Sequence, residues 1–166
     1  MDKYSAETVD RLLTLRRPRS GISMNKIVVK YRKQDETDFL LFSIPSSAEL
    51  GMLRKVFQQL AENEIQKIDL VSLDWLQPDS ILKHIDLRLL SYGEPSRTLR
   101  VISEVSNRVR IEWCRHSEGW LENAGLLDGL SAPGHQFLDY GSYGAVIEIS
   151  YLEELLTDAP FSKNDA

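Results

Sequence analysis

Gly134-His135-Gln136, followed closely by Asp139 and Tyr140, is the stretch whose residue types come nearest to an acid–base site. A histidine in a connection between a helix and a strand can act as a general base, and Asp139 could orient its ring. No nucleophile motif accompanies it. A solitary histidine more commonly caps a turn or bonds a backbone carbonyl. Cys114 and His116 stand two positions apart and would face the same way on a continuing strand. Two ligands do not make a metal site, and nothing in the spacing obliges His84 or His135 to join them. Gly141-Ser142-Tyr143-Gly144 lacks the lysine and following helix of a phosphate loop and reads as a hairpin turn. No Gly-x-Ser-x-Gly elbow, His-Glu-x-x-His helix or Cys-x-x-Cys pair occurs. Glu118 with Glu122, and Glu153 with Glu154, read as solvated faces. The expectation is no catalytic centre, no cofactor and no bound metal, with His135, Asp139 and Tyr140 as the alternative.

A second group of residues invites a binding role. Arg88, Arg100, Arg108 and Arg110 can all project from the polar face of one sheet, interrupted by Asp86 and Glu112. Such a plate could receive an acidic protein surface or a phosphate-bearing ligand. The plainer reading, which we favour, pairs the arginines with acids on neighbouring strands, each exposed pair contributing a few tenths of a kcal/mol.

Composition narrows the class. The 166 residues suit one domain with a real core, and 42% hydrophobic residues with a mean hydropathy of -0.28 are ordinary for a globular protein. No run approaches the roughly 18 apolar residues of a membrane span, and the N-terminus carries no apolar stretch of the secretory type. The single Cys114 excludes an internal disulfide framework and suggests the cytoplasm. A net charge of -5 argues against nucleic acid as the main partner, because phosphate neutralisation dominates that affinity. Charge is nonetheless uneven. The first 35 residues hold 9 cations against 4 acids, while beyond His116 there are 9 acids and one lysine, Lys163.

These residues must be carried by the elements that the pattern predicts. Period-two alternation in Ile85–Leu89, Leu99–Val101 and Val109–Trp113 marks strands with one dry face, and the turns between them predict an antiparallel meander. Lys26–Arg32 and Phe39–Ile44 make a hairpin. Ser46-Ser47-Ala48-Glu49 has capping-box spacing, and Leu50, Leu53, Phe57 and Leu60 form a helical stripe behind it. Ile65–Leu73 reads as a strand, and Asp74–Asp79 as a connector with Trp75 packed over the core edge. A weaker helix carries Trp120, Ala124, Leu127 and Leu130 behind a Ser117 cap, and Gln136–Leu138 with Ala145–Tyr151 make a final hairpin. Residues 1–23 read as a helical extension, 24–156 as one domain, and 157–166 as a flexible tail. The fold expected is α+β, a mostly antiparallel sheet of six or seven strands roofed by two helices, plus a short N-terminal helix.

For function, the expectation is a non-enzymatic protein-binding module, acidic enough for its C-terminal third to meet a basic partner. Bacterial immunity proteins that neutralise toxins share this size and charge, so an inhibitor-type role belongs to the same expectation. The alternative is a small enzyme or ligand-binding protein using His135. Another protein is the expected partner, with no membrane or nucleic acid, and the chain is expected as a monomer or homodimer.

Overall fold

The computed structural model describes residues 25–95, 99–103, 105–140 and 145–153. The expected N-terminal helix and the C-terminal tail lie outside them, as does the 141–144 turn.

The chain opens with a hairpin of β1 (Ile27–Gln34) and β2 (Thr37–Ile44), turning at Asp35, whose φ of 52° an aspartate tolerates. Helix α1 (Ser47–Ala61) starts at Ser46, whose hydroxyl accepts from the Ala48 amide at 3.2 Å and donates to the Glu49 carboxylate. This is the expected capping pair, with Ala48 in place of Glu49 as the amide donor. Leu50, Leu53, Val56, Phe57 and Leu60 are buried along one stripe, as the periodicity requires. Asn63, at φ 58°, then turns the chain out of the helix.

The next stretch departs from expectation. In place of one strand over Ile65–Leu73 there is a short β3 (Lys67–Asp69) and a 3-10 turn at Leu70–Ser72. Asp69 accounts for the break: its Oδ1 accepts the Val71 amide at 3.1 Å and the Ile85 amide at 3.0 Å, which bends the chain after three residues. The expected connector holds β4 (Leu76–Pro78), parallel to β1. Pro78 is accommodated because β4 is an edge strand. Trp75 is 1% exposed.

β5 (Leu82–Leu89), β6 (Leu99–Ser103) and β7 (Val109–Arg115) follow, then α2 (Ser117–Asp128) and the hairpin β8 (Gly134–Tyr140) with β9 (Ala145–Tyr151). Helix α2 starts from His116, which makes no side-chain cap bond, and the Ser117 hydroxyl donates instead to the Ala61 carbonyl at the end of α1. Among the described residues the strands form two mixed sheets, of five strands ordered β4-β1-β2-β9-β8 and of four ordered β3-β5-β7-β6, in place of the one mostly antiparallel sheet of six or seven strands expected. The meander is also corrected. β5 and β7 are parallel neighbours, and β6 lies beyond β7 at the edge. The burial of each strand explains this order. β7 carries Ile111 and Trp113 fully buried and takes the interior place, while Leu99 and Val101 of β6 are only partly covered.

Both sheets and both helices share one core. Val29, Leu40, Phe42, Ile147 and Ile149 of the larger sheet, and Ile85, Leu87, Ile111 and Trp113 of the smaller, join the inward residues of α1 and α2. Phe57, Trp113 and Trp120 meet at its centre, with ring centroids 5.1 to 5.4 Å apart. The two helices thus cover the dry face of β7, as the alternation predicted.

Candidate functional site

His135 lies on β8 opposite Ser150 of β9. Its Nδ1 is 3.1 Å from Glu148 Oε1 and its Nε2 is 2.7 Å from Glu153 Oε2. The two carboxylates stand in different surroundings, since the Glu148 side chain is 0% exposed and that of Glu153 is 41% exposed. A buried carboxylate is tolerated only with partners, and the imidazole is one of them. The side chains of Asp139 and Tyr140, expected to work with His135, lie outside the described residues. A general base needs a ring nitrogen open to substrate. Here both nitrogens are held by carboxylates.

Glu148 was legible in principle. It is the one acid in the otherwise apolar run Ala145-Val146-Ile147-Glu148-Ile149, on a strand flanked on both sides. A lone acid in such a strand signals an internal partner.

The polar face of the smaller sheet forms a charge lattice. Asp69, Asp86 and Glu112 stand side by side across β3, β5 and β7, and Arg100 on β6 completes the row. Like charges in register repel, and Arg110, Lys67 and Arg100 offset this. Asp86 takes Arg110 at 2.6 Å and Lys67 at 3.6 Å, Asp69 takes His84 at 2.7 Å, and Glu112 faces Arg100 at 4.0 Å. Of the proposed arginine plate, Arg88, Arg100 and Arg110 each therefore face an acid, with Arg88 Nη1 3.2 Å from Glu94. Arg108 lies in the exposed turn before β7 and outside the lattice. Cys114 is buried opposite Arg88, and the His116 Nε2 is 2.9 Å from the Glu94 carbonyl oxygen. No group of three or more candidate metal ligands occurs among the described residues.

Glu94 is the hub of a third arrangement, in a stretch expected only to turn the chain. Its carboxylate accepts the Ser91 amide at 2.6 Å and Arg88 at 3.2 Å, its amide donates to the Ser91 carbonyl at 3.1 Å, and its carbonyl faces His116 at the start of α2. The Ser91 amide, then Arg88 and the nearby His116, hold the Glu94 carboxyl below the usual carboxylate range. Burial disfavours the Arg88 charge, but hydrogen bonds to Cys114 and Glu94 outweigh it and raise its pKa. Gly93, at φ 88°, supplies the left-handed residue that closes the turn. Within this fastened turn Tyr92 is fully exposed, the most exposed large hydrophobic residue among those described. On the adjoining helix α2, Leu121 is 59% exposed between Glu118 and Glu122.

No family model, curated protein or solved structure matches the chain. No described helix is long and apolar enough to cross a membrane.

Proposed function

We propose that this chain is a non-enzymatic protein-binding module whose contact surface is the Ser91–Glu94 turn together with the exposed face of α2. The observation that carries the reading is Tyr92, an aromatic side chain held wholly in solvent on a turn fastened by Ser91, Arg88 and His116. Tyrosine supplies a large, amphipathic contact area at little conformational cost, and a pre-ordered turn lowers the entropy lost on docking. Glu118 in the first turn of α2 and the net charge of -5 favour a basic partner surface, while Glu122 and Asp128 are already paired with Arg115 and Arg54. An inhibitor-type role, in which this surface covers a basic partner, is the finer form of the proposal. Its setting would be the cytoplasm, which the single cysteine favours.

A photo-reactive phenylalanine analogue at position 92, compared with one at the exposed Lys55 of α1, tests the reading in extract of the source cells. One dominant crosslinked protein is expected from position 92 and not from 55, and excess unlabelled chain should suppress it. Tyr92→Ala should then weaken the isolated pair by about tenfold or more, the effect of an anchor residue. A crosslink to a second copy of the chain would redefine the surface as a dimer interface. Equal labelling from both positions would defeat the proposal.

A further inference from the structure

The larger sheet has two faces, and the shared core lies against one of them. Along β2 the core takes Leu40, Phe42 and Ile44, while Leu41 lies on the opposite face, as alternate residues of a strand must. Leu41 is nonetheless 0% exposed, and it stands outside the core cluster. Glu148 and Ser150 of β9, paired with Leu41 and Ser43, share this second face, and both are also 0% exposed. Around them Val28, Phe39, Val146 and Phe137 are partly buried and add apolar area. A sheet face left to water carries solvated polar side chains. This one is dry at its centre and needs a cover.

We propose that residues 5–17 lie as a helix across this second face, with Val9, Leu12 and Leu13 seated on Leu41. Place, pattern and charge select that segment. Residues 1–24 run directly into β1, one of the strands of the face. Thirteen helical residues reach about 20 Å, and the strand spacings from β1 to β8 add up to about 14 Å. Val9, Leu12, Leu13 and Arg16 fall on one helical stripe, and Pro18 ends it, leaving 18–24 to connect to Asn25. A carboxylate as buried as Glu148 has to be compensated. His135 lies 3.1 Å from it, and Glu148 holds a further partner as well. Residues 1–24 bring Lys3, Arg11, Arg16, Arg17 and Arg19 against Asp2, Glu7 and Asp10, a net positive segment. Residues 154–166 carry Glu154, Asp158 and Asp165 against Lys163, the wrong sign to cover Glu148. The inference stands apart from the Ser91–Glu94 turn, which follows β5 of the smaller sheet.

Methyl NMR on the full chain tests this. Cross-relaxation is expected between the Leu41 methyls and those of Leu12 or Leu13, within one copy as judged by mixed isotope labelling. A soluble paramagnetic chelate should leave the Leu41 methyls sharp in the unaltered chain. In the Leu12→Asp/Leu13→Asp variant the same chelate should broaden them until the signals are lost. Leu15→Asp, the same chemistry off the stripe, should leave them sharp. If the double variant fails to fold, the cross-peaks of the unaltered chain still decide. Three results would overturn the proposal. One is Leu41 cross-peaks to Leu155, Leu156 or Phe161 in place of Leu12 and Leu13. Another is cross-peaks that arise only between two copies. The last is full protection of Leu41 in the folded double variant.

Discussion

Asp86 and Arg110 meet across the parallel β5–β7 pair, with the guanidinium Nε and Nη2 at 2.8 and 2.6 Å from one carboxylate oxygen. The Asp86 side chain is only 6% exposed, so it depends on this contact and on Lys67 at 3.6 Å. Arg110→Ala should lower stability by about 2–4 kcal/mol, because the acid remains buried with one distant cation. Asp86→Asn, which removes the stranded charge, should cost less. Urea denaturation of the two variants and of the double variant measures the coupling.

Trp120 stacks on Phe57 at 5.4 Å and tilts against Trp113 at 5.1 Å, with its indole N–H 3.3 Å from the Arg88 carbonyl. Trp120→Ala should cost about 3–5 kcal/mol and abolish the near-ultraviolet dichroism of the cluster. Phe57→Leu should cost less, since it keeps most of the volume.

Two helix glycines should respond in opposite directions to alanine. A Cβ at Gly125 meets nothing within 4 Å, so Gly125→Ala should stabilise α2 by about 0.5–1 kcal/mol. A Cβ at Gly119 would come within 2.6 Å of Arg115 Nε, and that guanidinium is already committed to Asn123 and Glu122. Gly119→Ala should therefore destabilise despite the gain in helix propensity, as thermal melts of both variants would register.

The depressed Glu94 carboxyl gives the Ser91–Glu94 turn a pH dependence. Its folded value lies below the unfolded one, so its contribution is present above the ordinary carboxylate range. That contribution disappears as pH falls through the folded value. Carboxyl-detected NMR should find Glu94 titrating below the exposed glutamates. Glu94→Gln should broaden the Tyr92 signals at neutral pH.

Tyr31 behaves in the opposite sense. Burial, then the 2.7 Å hydrogen bond to Asp38 and its charge, push the phenol well above the ordinary tyrosine range. With the folded value raised, the contribution is intact below that range and is lost as pH rises through the folded value. Alkaline titration should show Tyr31 resisting ionisation until the fold gives way, and Tyr31→Phe should remove that late step.

What could be read in advance follows the range of the forces involved. Helix α1 was legible because its cap and stripe lie within a few residues of one another, and the β8–β9 hairpin because its strands are close in sequence. The inward face of β7 was legible from strict alternation through Val109, Ile111 and Trp113. Strand partners were not. The pairing of β5 with β7 and of β2 with β9 joins distant segments, and local patterning says nothing of which apolar strand takes the interior place. β3 was overestimated because its end is set by Asp69 capturing an amide from β5. Alternating charge on the polar face allowed both an open arginine plate and paired arginines, and Arg88, Arg100 and Arg110 each face an acid. Of the partners of His135, Glu148 was legible as the lone acid in an apolar strand, whereas Glu153 lies beyond the end of β9, where no pattern fixes its position.

The parallel pairing of Asp38–Ile44 with Ala145–Tyr151 bears on biosynthesis. These segments are separated by roughly a hundred residues, which a ribosome takes about 5–20 seconds to add. Until β9 emerges, the β1–β2 hairpin leaves the tunnel with Leu41 and Phe42 lacking their neighbour. β2 therefore keeps an unpaired apolar edge until β9 has been synthesised, and the larger sheet cannot close before then.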